Sequence, residues 1–189
     1  MNNIQDIESR FLEVTGLPLK TDLTPYPLTE HIGFDIRNTH KKENGEVFTP
    51  LELVDRMLEI SNPDPTKFNM DLCAGRGQFT VRILRRFVNQ NPDFDIRYYL
   101  TNLHWFNELN VQSCIELIYI FGETINLAIG PAQELKNYPS DFETNIWNKG
   151  IYYWDAAIKK WVSKDIEELN NLSNGCINSD IKVKSKSLF

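Results

Sequence analysis

The residues of this chain with the clearest chemical pattern lie between Gly45 and Phe79. Residues 71–79 read DLCAGRGQF, which is the end of an apolar strand followed by a Gly-x-Gly turn and a helix start. This construction lets a ligand approach the backbone at the carboxyl end of a parallel strand. Upstream, residues 45–50 read GEVFTP and place an aromatic side chain just before another helix. Together the two segments predict a binding site for a nucleoside-like cofactor.

The elements that must position this site alternate between helix and strand. Apolar spacing predicts a helix over 4–14, a helix from Pro50 to the stop at Asn62-Pro63, a strand over 68–73, helices over 79–89 and 94–102, a strand over 103–106, a helix over 111–121 and a strand over 125–130. This alternation is typical of an open, mostly parallel α/β sheet with helices on both faces.

Local signals refine two parts of this scheme. Thr49 is predicted to cap the second helix, with Pro50 in its first turn and Glu52 completing a capping box. Leu51, Val54 and Leu58 then share one face, with the apolar residues Leu53, Met57 and Ile60 alongside. Residues 150–162 fit a hairpin or a helix, and Ser163 is predicted to cap a last helix that runs to Leu172. The predicted organisation is an extension over 1–44, one domain over 45–172 and a flexible tail over 173–189.

Composition limits the function classes. The chain has 189 residues, 41% hydrophobic content and a net charge of −6, which suits a globular domain and weakens the case for independent DNA binding. Arg82, Arg85 and Arg86, together with residues 40–42, are basic clusters, and we expect them to be solvated.

Three widely spaced cysteines predict neither a metal site nor a disulfide framework. With no apolar run of membrane-spanning length and no signal peptide, we expect a cytoplasmic protein without a membrane partner. Frequent Asn, Lys and Ile fit an AT-rich genome such as that of a phage.

These segments resemble the adenine-specific DNA methyltransferases, a family of class I S-adenosylmethionine-dependent enzymes with a Rossmann-like fold. Residues 45–50 look like the family's phenylalanine-centred cofactor motif, and 71–79 look like its glycine-rich motif. Residues 106–110, FNELN, resemble its acidic second-strand motif, and 125–135 stand where its third cofactor motif belongs. The resemblance covers about residues 45–135 and implies S-adenosylmethionine as cofactor.

The resemblance also implies roles for individual residues. Gly75 and Gly77 would bring backbone amides near the cofactor, and Asp71 would receive its ammonium group. Phe48 would lie against its methionine portion or its adenine ring, and Thr49 would bond its carboxylate. Glu108 would accept hydrogen bonds from both ribose hydroxyls. The full set of expected cofactor-binding residues is Phe48, Thr49, Pro50, Asp71, Cys73, Ala74, Gly75, Gly77, Phe79 and Glu108.

Alternatives remain for several of these roles. Phe48 could instead pack on its own helix as a hydrophobic staple, and Glu108 could be a surface charge. Asp95 competes with Glu108 for the ribose because it stands closer to the usual interval after a glycine turn. A nicotinamide dinucleotide fits less well, since Thr80 stands where its third glycine belongs. A nucleoside triphosphate fits poorly because no Gly-Lys-Ser/Thr follows the turn.

The chain departs from the family in two respects. We find no Asp/Asn-Pro-Pro-aromatic motif, which in this family holds the target adenine at the end of the fourth strand, and the C-terminal half therefore looks truncated or degenerate. Pro131 follows Gly130 where the family usually has an acid, and this substitution is expected to weaken cofactor affinity. Trp147, Tyr152, Tyr153 and Trp154 could stack on a base, although packing in a core or hairpin is the simpler role.

Three functions are compatible with this pattern. The first is a cofactor-binding, methyltransferase-like protein that is catalytically impaired alone. The second is a non-catalytic module that acts on restriction–modification or DNA-processing machinery. The third is an active DNA methyltransferase completed by a protein partner. The end of the chain, with Leu188 and Phe189, partly resembles tails that bind sliding clamps, although a disordered tail is the simpler reading.

Overall fold

The computed structural model describes residues 3–20, 49–137 and 150–169, and the structural statements below concern these residues. Its helices are α1 (Ile4–Thr15), α2 (Leu51–Ser61), α3 (Gln78–Gln90), α4 (Ile96–Asn102) and α5 (Val111–Phe121). Its strands are β1 (Asn69–Leu72), β2 (His104–Glu108), β3 (Asn126–Ile129), β4 (Ile151–Asp155) and β5 (Lys160–Lys164), with a short 3-10 helix at Ala132–Asn137. The predicted alternation of helix and strand is confirmed within one or two residues for most elements.

The five strands form one sheet in the order β1-β2-β3-β4-β5. The first four strands are parallel, and β5 returns antiparallel to β4 as a hairpin. In the register of the sheet, Leu72 pairs with Asn107 and Glu108 pairs with Ile129. The carboxyl ends of β1, β2 and β3 therefore meet at one edge. The prediction of a mostly parallel α/β sheet is confirmed.

The helices bury one continuous core against the sheet. Phe106, Leu127 and Ile129 point from the strands into the same cluster as Phe11 of α1 and Leu84 of α3. Helix α1 packs against both α3 and α5, so the first helix of the chain shares this core. Trp105 lies on the opposite face of the sheet, with its ring centroid 6.1 Å from that of Tyr152. All five described helices contribute buried side chains to the cluster on the first face, so helices on the second face stay a prediction.

Helix α2 begins differently from the prediction. Its N-cap position is Pro50 rather than Thr49, and no side chain caps the helix, so the predicted capping box with Glu52 is wrong. The φ of Pro50 is −57° and its carbonyl already accepts bonds from the amides of Leu53 and Val54, which places the first turn one residue later. Three apolar side chains of α2 are exposed, namely Leu53, Met57 and Ile60.

The end of the described chain also corrects one prediction. Residues 151–164 form the hairpin, and Ser163 belongs to β5 instead of capping a helix. The following helix starts after Asp165, whose carboxylate accepts the amide of Glu168 at 2.7 Å, while Glu168 accepts the amide of Asp165 at 3.2 Å. This reciprocal pair is a capping box, so the helix starts two residues later than expected.

The sequence predicted that the arginines of α3 are solvated, but the structure shows that they are not. Arg82 is completely buried and donates to both oxygens of Asp55, which is also completely buried, at 2.8 and 2.9 Å. Arg85 pairs with Glu8 of α1, and Arg86 donates to the carbonyl of Asp55. These cations tie α3 to α1 and α2. These arginines therefore stabilise the fold through internal contacts and form no basic face.

Candidate functional site

The glycine turn after β1 is held by its own backbone and by β2. Cys73, Gly75 and Gly77 have φ angles of 62°, 55° and 82°, so the chain passes three times through the left-handed region. The amide of Ala74 donates to the carbonyl of Asn107 at 2.8 Å, and the amide of Gly77 donates to the carbonyl of Ala74 at 2.8 Å. Two of these positions are glycines, which adopt this conformation without strain. The turn therefore lies directly beside the end of β2.

Glu108 joins the glycine turn to the start of α5. Its Oε2 accepts the amide of Gly75 at 2.7 Å, while its Oε1 accepts the amides of Leu109 and Asn110 at 2.7 and 2.8 Å. Only 9% of the residue is exposed. Charged hydrogen bonds of this kind are strong in a desolvated environment. The alternative that Glu108 is a surface charge is wrong, since the carboxylate bridges the two segments expected to form the site.

The bare side of Gly77 is filled by helix α5. A Cβ on Gly77 would collide with the ring of Phe121 and would lie 3.1 Å from Leu117. Gly77 also occupies the N-cap position of α3. In this structure it therefore allows α3 and α5 to approach each other, in addition to making the turn.

Arg76, between the two glycines, anchors the turn to α5 from the outside. Its Nε lies 2.7 Å from a carboxylate oxygen of Glu116, and about a quarter of the arginine side chain is exposed. Together with the Gly75–Glu108 bond, this ion pair attaches the turn to both neighbouring elements. The Gly-x-Gly segment is therefore a fixed part of the edge.

Asp71 turns away from this edge and into the helical layer. Thr80 of α3 donates to its Oδ2 at 3.1 Å, and the Thr80 hydroxyl lies 2.9 Å from Nε2 of His104. Nδ1 of His104 in turn lies 3.3 Å from the hydroxyl of Tyr99. The four residues form a chain of polar contacts, at the end of which Thr80 donates to Asp71.

Burial changes the protonation of this chain. Desolvation raises the pKa of Asp71 to about 7, with a smaller contribution from the charge of Glu108, while the Thr80 bond opposes the rise. Desolvation lowers the pKa of His104 to about 3. His104 is therefore neutral, with a single ring N–H. Because the Thr80 hydroxyl donates to Asp71, the Nε2–H tautomer satisfies every member of the chain.

These two groups give stability opposite dependences on pH. Between about pH 4 and 7 the folded state holds a proton on Asp71 that the unfolded state has lost, so this group lowers stability as pH rises. Between about pH 3 and 6.5 the unfolded state holds a proton on His104 that the folded state lacks, so this group raises stability as pH rises.

We expect Asp71→Asn to leave the His104 effect unopposed. The free energy of unfolding should then rise with pH between 4 and 6.5 more steeply than in the wild type, by up to about 1.4 kcal/mol per pH unit. Urea unfolding at half-unit pH steps measures both slopes. Equal slopes in the two proteins would contradict the buried, protonated state of Asp71.

A cavity of about 290 Å³ opens beside Asp71, between α2, α3 and β1. Its apolar walls include Met57 and Leu58 of α2 and Phe79 and Ile83 of α3, while Asp71 and His104 contribute polar groups. Phe79, which the resemblance assigns to the cofactor, thus faces this cavity together with Asp71. The cavity lies on the helical face of the sheet, whereas Gly75 and Glu108 meet at the carboxyl edge.

The remaining expected site residues are placed as follows. Thr49 and Pro50 lie at the start of α2 and are partly exposed, and Cys73 is exposed in the glycine turn. Phe48 lies outside the described residues, so neither the cofactor role nor the staple role of its ring is addressed. Asp95, the rival of Glu108, is the N-cap of α4 and accepts the amide of Tyr98 at 2.8 Å.

Gly130 is packed beneath two tryptophans of the hairpin. A Cβ on Gly130 would lie 2.6 Å from Cβ of Trp154 and 3.1 Å from the ring of Trp161. Trp154 and Trp161 face each other across β4 and β5 with ring centroids 5.5 Å apart, and Trp161 donates to the carbonyl of Glu134 at 3.0 Å. These indoles pack as a hairpin pair, and Trp147 lies outside the described residues. The region after β3 is therefore occupied by aromatic side chains beside Pro131.

Other classes of site were also expected to be absent. In residues 3–20, 49–137 and 150–169, no cluster of three metal-binding side chains occurs, and no helix is long and apolar enough to cross a membrane. Cys73 and Cys114 are free thiols, and Cys176 lies outside this part of the chain. Burial raises the pKa of the Cys114 thiol.

The fold and this edge define an α/β domain of the Rossmann-like methyltransferase type. Residues 31–113 match the family model described as N-6 DNA Methylase, which is a little under half of the chain. The predicted relationship to the adenine-specific DNA methyltransferases is therefore confirmed for the segment that holds the glycine turn and Glu108. The match ends before 125–135, where the third cofactor motif was expected. No curated protein and no solved structure matches the chain.

Sequence reasoning missed several residues around this site. No role at the site was predicted for Thr80 or His104, although a histidine at the start of an otherwise apolar strand signals a buried polar partner. The Arg76–Glu116 and Arg82–Asp55 pairs join distant parts of the chain, and no local spacing reveals them. The contact of Gly77 with Phe121 was missed for the same reason.

Proposed function

We propose that this chain binds S-adenosylmethionine at the carboxyl ends of β1 and β2 and, as a single chain, does not transfer the methyl group. The observation that supports cofactor binding is the 2.7 Å bond from the Gly75 amide to the Glu108 carboxylate. It joins a glycine turn at the start of a helix to an acid at the end of the neighbouring strand. A nucleoside with an anionic end requires both groups. When bound, the cofactor supplies an electrophilic methyl group.

The residues at this edge carry the kind of hydrogen-bond acceptor that a ribose diol requires. A carboxylate offers about four acceptor positions, and three amides occupy the oxygens of Glu108. Two ribose hydroxyls therefore need at least one of these bonds to give way. The Gly75 bond is the one that exchanges in this proposal, because Leu109 and Asn110 are adjacent to Glu108 in the chain. The released Gly75 amide is then available to the cofactor.

The absence of methyl transfer rests on the sequence after β3. Holding an adenine amine in this family requires an Asp or Asn followed by two prolines and an aromatic, and the 189 residues contain no Pro-Pro pair. The Trp154–Trp161 pair packs against Gly130, and Pro131 provides no acid for the adenine of the cofactor. The net charge of −6 and the internal pairing of the α3 arginines give no support to a DNA-binding face.

Calorimetric titration with S-adenosylhomocysteine tests the cofactor proposal. We expect saturable binding to the wild type and at least about tenfold weaker binding to Glu108→Gln, because the variant loses charged hydrogen bonds to the ribose. Glu123→Gln makes the same change at an exposed position and should bind like the wild type. A dissociation constant is the required readout, since loss of the amide bonds also lowers the stability of Glu108→Gln. Equal affinity of Glu108→Gln and the wild type would contradict the assignment.

A tritium-transfer assay on unmodified DNA tests the second half of the proposal. With the wild-type chain and labelled S-adenosylmethionine, we expect no incorporation above the level of a protein-free control. Incorporation that depends on Glu108 would show that the chain is an active methyltransferase.

A second candidate is a non-catalytic interaction module of restriction–modification or DNA-processing machinery. The observation that favours it is the exposure of Leu53, Met57 and Ile60 on α2, with Phe68 and Leu72 also exposed around β1. Exposed apolar groups of this kind are typical of protein contacts. This candidate predicts that the chain still binds its protein partner when Glu108→Gln abolishes cofactor binding.

A further inference from the structure

We propose that one face of α2 is a self-association surface, on which α2 of a second copy of this chain packs antiparallel about a twofold axis. This face, here called the α2 stripe, consists of Leu53, Met57 and Ile60, which are 47%, 45% and 87% exposed. The proposal does not depend on cofactor binding, because no residue of the stripe belongs to the glycine turn or to β2. It assigns to a second copy the surface that the interaction-module candidate gives to a foreign protein.

The α2 stripe is separate from the face by which α2 joins the fold. Leu51, Val54 and Leu58 are buried, and the principal neighbour of α2 among the described elements is α3. At 3.6 residues per turn, the stripe lies on another side of the helix from these three residues. The stripe therefore adds nothing to the described core, and a second apolar face on a surface helix is typical of a contact with another helix.

The spacing of the stripe suits an antiparallel partner of the same sequence. Its members are four and then three residues apart, which is the spacing of the seam in a pair of packed helices. When two identical helices run antiparallel about a twofold axis, the middle of the stripe meets itself. Met57 then faces Met57 of the other copy, and Leu53 faces Ile60. The flexible thioethers at the centre can adjust to each other.

The charges beside the stripe favour a second copy as the occupant. Arg56 is exposed and forms no ion pair with a described residue, although Glu52 and Glu59 stand four residues before and three residues after it. The twofold axis brings the same flank of both helices together, so Arg56 of each copy lies near Glu59 of the other. Glu59 is available because its side chain is 48% exposed and its distance to Arg86 is 4.0 Å.

This flank is complementary to itself. The two Arg56 groups share it with Glu52 and Glu59 of both copies, which offset the mutual repulsion of the arginines. Exposed ion pairs of this kind contribute little affinity but fix the orientation of the partners. The apolar stripe therefore supplies the affinity, and the charges select the antiparallel arrangement.

Sedimentation equilibrium of the full chain tests the proposal over about 1 μM to 1 mM, the range in which a small interface dissociates. We expect the wild type to form a dimer and Ile60→Lys to weaken it at least about tenfold, because burying an unpaired ammonium group in the seam is costly. Ile158→Lys makes the same substitution at another exposed isoleucine, in the turn between β4 and β5, and should dimerise like the wild type. Circular dichroism checks that both variants are folded.

A charge pair at Met57 tests the twofold arrangement itself. Met57→Lys and Met57→Glu should each be monomeric, because two like charges meet at the axis. An equimolar mixture of the two variants should recover a dimer, since a lysine of one chain then faces a glutamate of the other.

Three results would overturn the proposal. One is a wild type that stays monomeric over the whole range, which would leave the α2 stripe to a different protein. Another is a dimer that Ile60→Lys and Met57→Lys do not weaken. The third is a mixture of the two Met57 variants that stays monomeric. None of these experiments contains a cofactor, so failure of the cofactor proposal leaves their outcome unaffected.

Discussion

Replacing Arg82 by methionine is expected to destabilise the fold by about 3–5 kcal/mol. Arg82 and Asp55 are both fully buried, and two hydrogen bonds of 2.8 and 2.9 Å join them. Arg82 also donates to the carbonyl of Lys20 at 2.6 Å. The substitution leaves the charge of Asp55 in the interior without its cation, and that desolvated charge is the main cost. Urea unfolding followed by circular dichroism measures the loss.

A paired variant separates the buried charge from the packing. Arg82→Met combined with Asp55→Leu removes both charges, and we expect it to recover a large part of the lost stability. Arg97→Met, at an exposed position of α4, should change stability by less than about 0.5 kcal/mol. If Arg82→Met were as mild as Arg97→Met, the Arg82–Asp55 pair would not be a buried support of the fold.

Replacing Gly77 by alanine is expected to cost about 2–5 kcal/mol. A φ of 82° strains any residue with a Cβ by about 1–2 kcal/mol. The new methyl group also collides with Phe121 and comes within 3.1 Å of Leu117, and overpacking of this kind typically costs about 1–3 kcal/mol. Thermal or urea unfolding of the variant gives the total.

Gly16→Ala is the matched control for this prediction. Gly16 has a φ of 68°, but no atom lies within 4 Å of the position that a Cβ would take. It should therefore show the backbone strain alone, about 1–2 kcal/mol. The double variant Gly77→Ala with Phe121→Leu should lose less stability than the sum of its single changes, because the shorter side chain makes room for the methyl group. Equal losses for Gly77→Ala and Gly16→Ala would contradict the close contact between α3 and α5.

Local sequence patterns predicted most helices, strands and turns of this fold, because interactions between residues close in sequence determine these elements. Helix α5 was predicted over its full length, since Gly122 ends it and its apolar side chains recur at helical spacing. The Gly-x-Gly turn was recognised because its backbone conformation requires glycine at Gly75 and Gly77. Helix starts were less certain. Thr49 and Ser163 both have capping side chains, but Pro50 and Asp165 take the N-cap positions.

The wrong prediction for the arginines of α3 has a different physical cause. A triple of arginines on one helix is normally solvated, and the sequence contains no local sign of the acids that neutralise them. Asp55 lies 27 residues before Arg82, and Glu8 lies 77 residues before Arg85. Only the packing of α1 and α2 against α3 brings these partners together. Pairing across such distances is a tertiary property, so spacing along one helix could not predict it.

The candidate site was predicted in outline and differs in detail. The convergence of the glycine turn and Glu108 followed from two parallel strands ending at the same edge. The strand direction did not reveal that Asp71 faces α3 rather than that edge, because the orientation depends on where Thr80 and His104 lie. Nor did it reveal that the three amides around Glu108 already occupy its carboxylate. Both features depend on side chains that meet only in the folded chain.

These details define what cofactor binding would require of this protein. The Gly75 amide and the Glu108 carboxylate satisfy each other in the structure, so a ribose must replace a strong internal bond. That exchange reduces the affinity that a preformed site would have, because part of the binding free energy replaces the internal contact. Pro131 is also expected to weaken the affinity for the cofactor.

The amide resonance of Gly75 in a ¹⁵N-labelled chain tests the central claim most directly, with S-adenosylhomocysteine as the titrant. The account predicts a large, saturable shift of this amide as its bond to Glu108 is exchanged, and no comparable shift at Gly16, which lies at the end of α1. A Gly75 resonance that moves no more than that of Gly16, at concentrations that saturate any binding seen by calorimetry, would contradict the proposed cofactor edge.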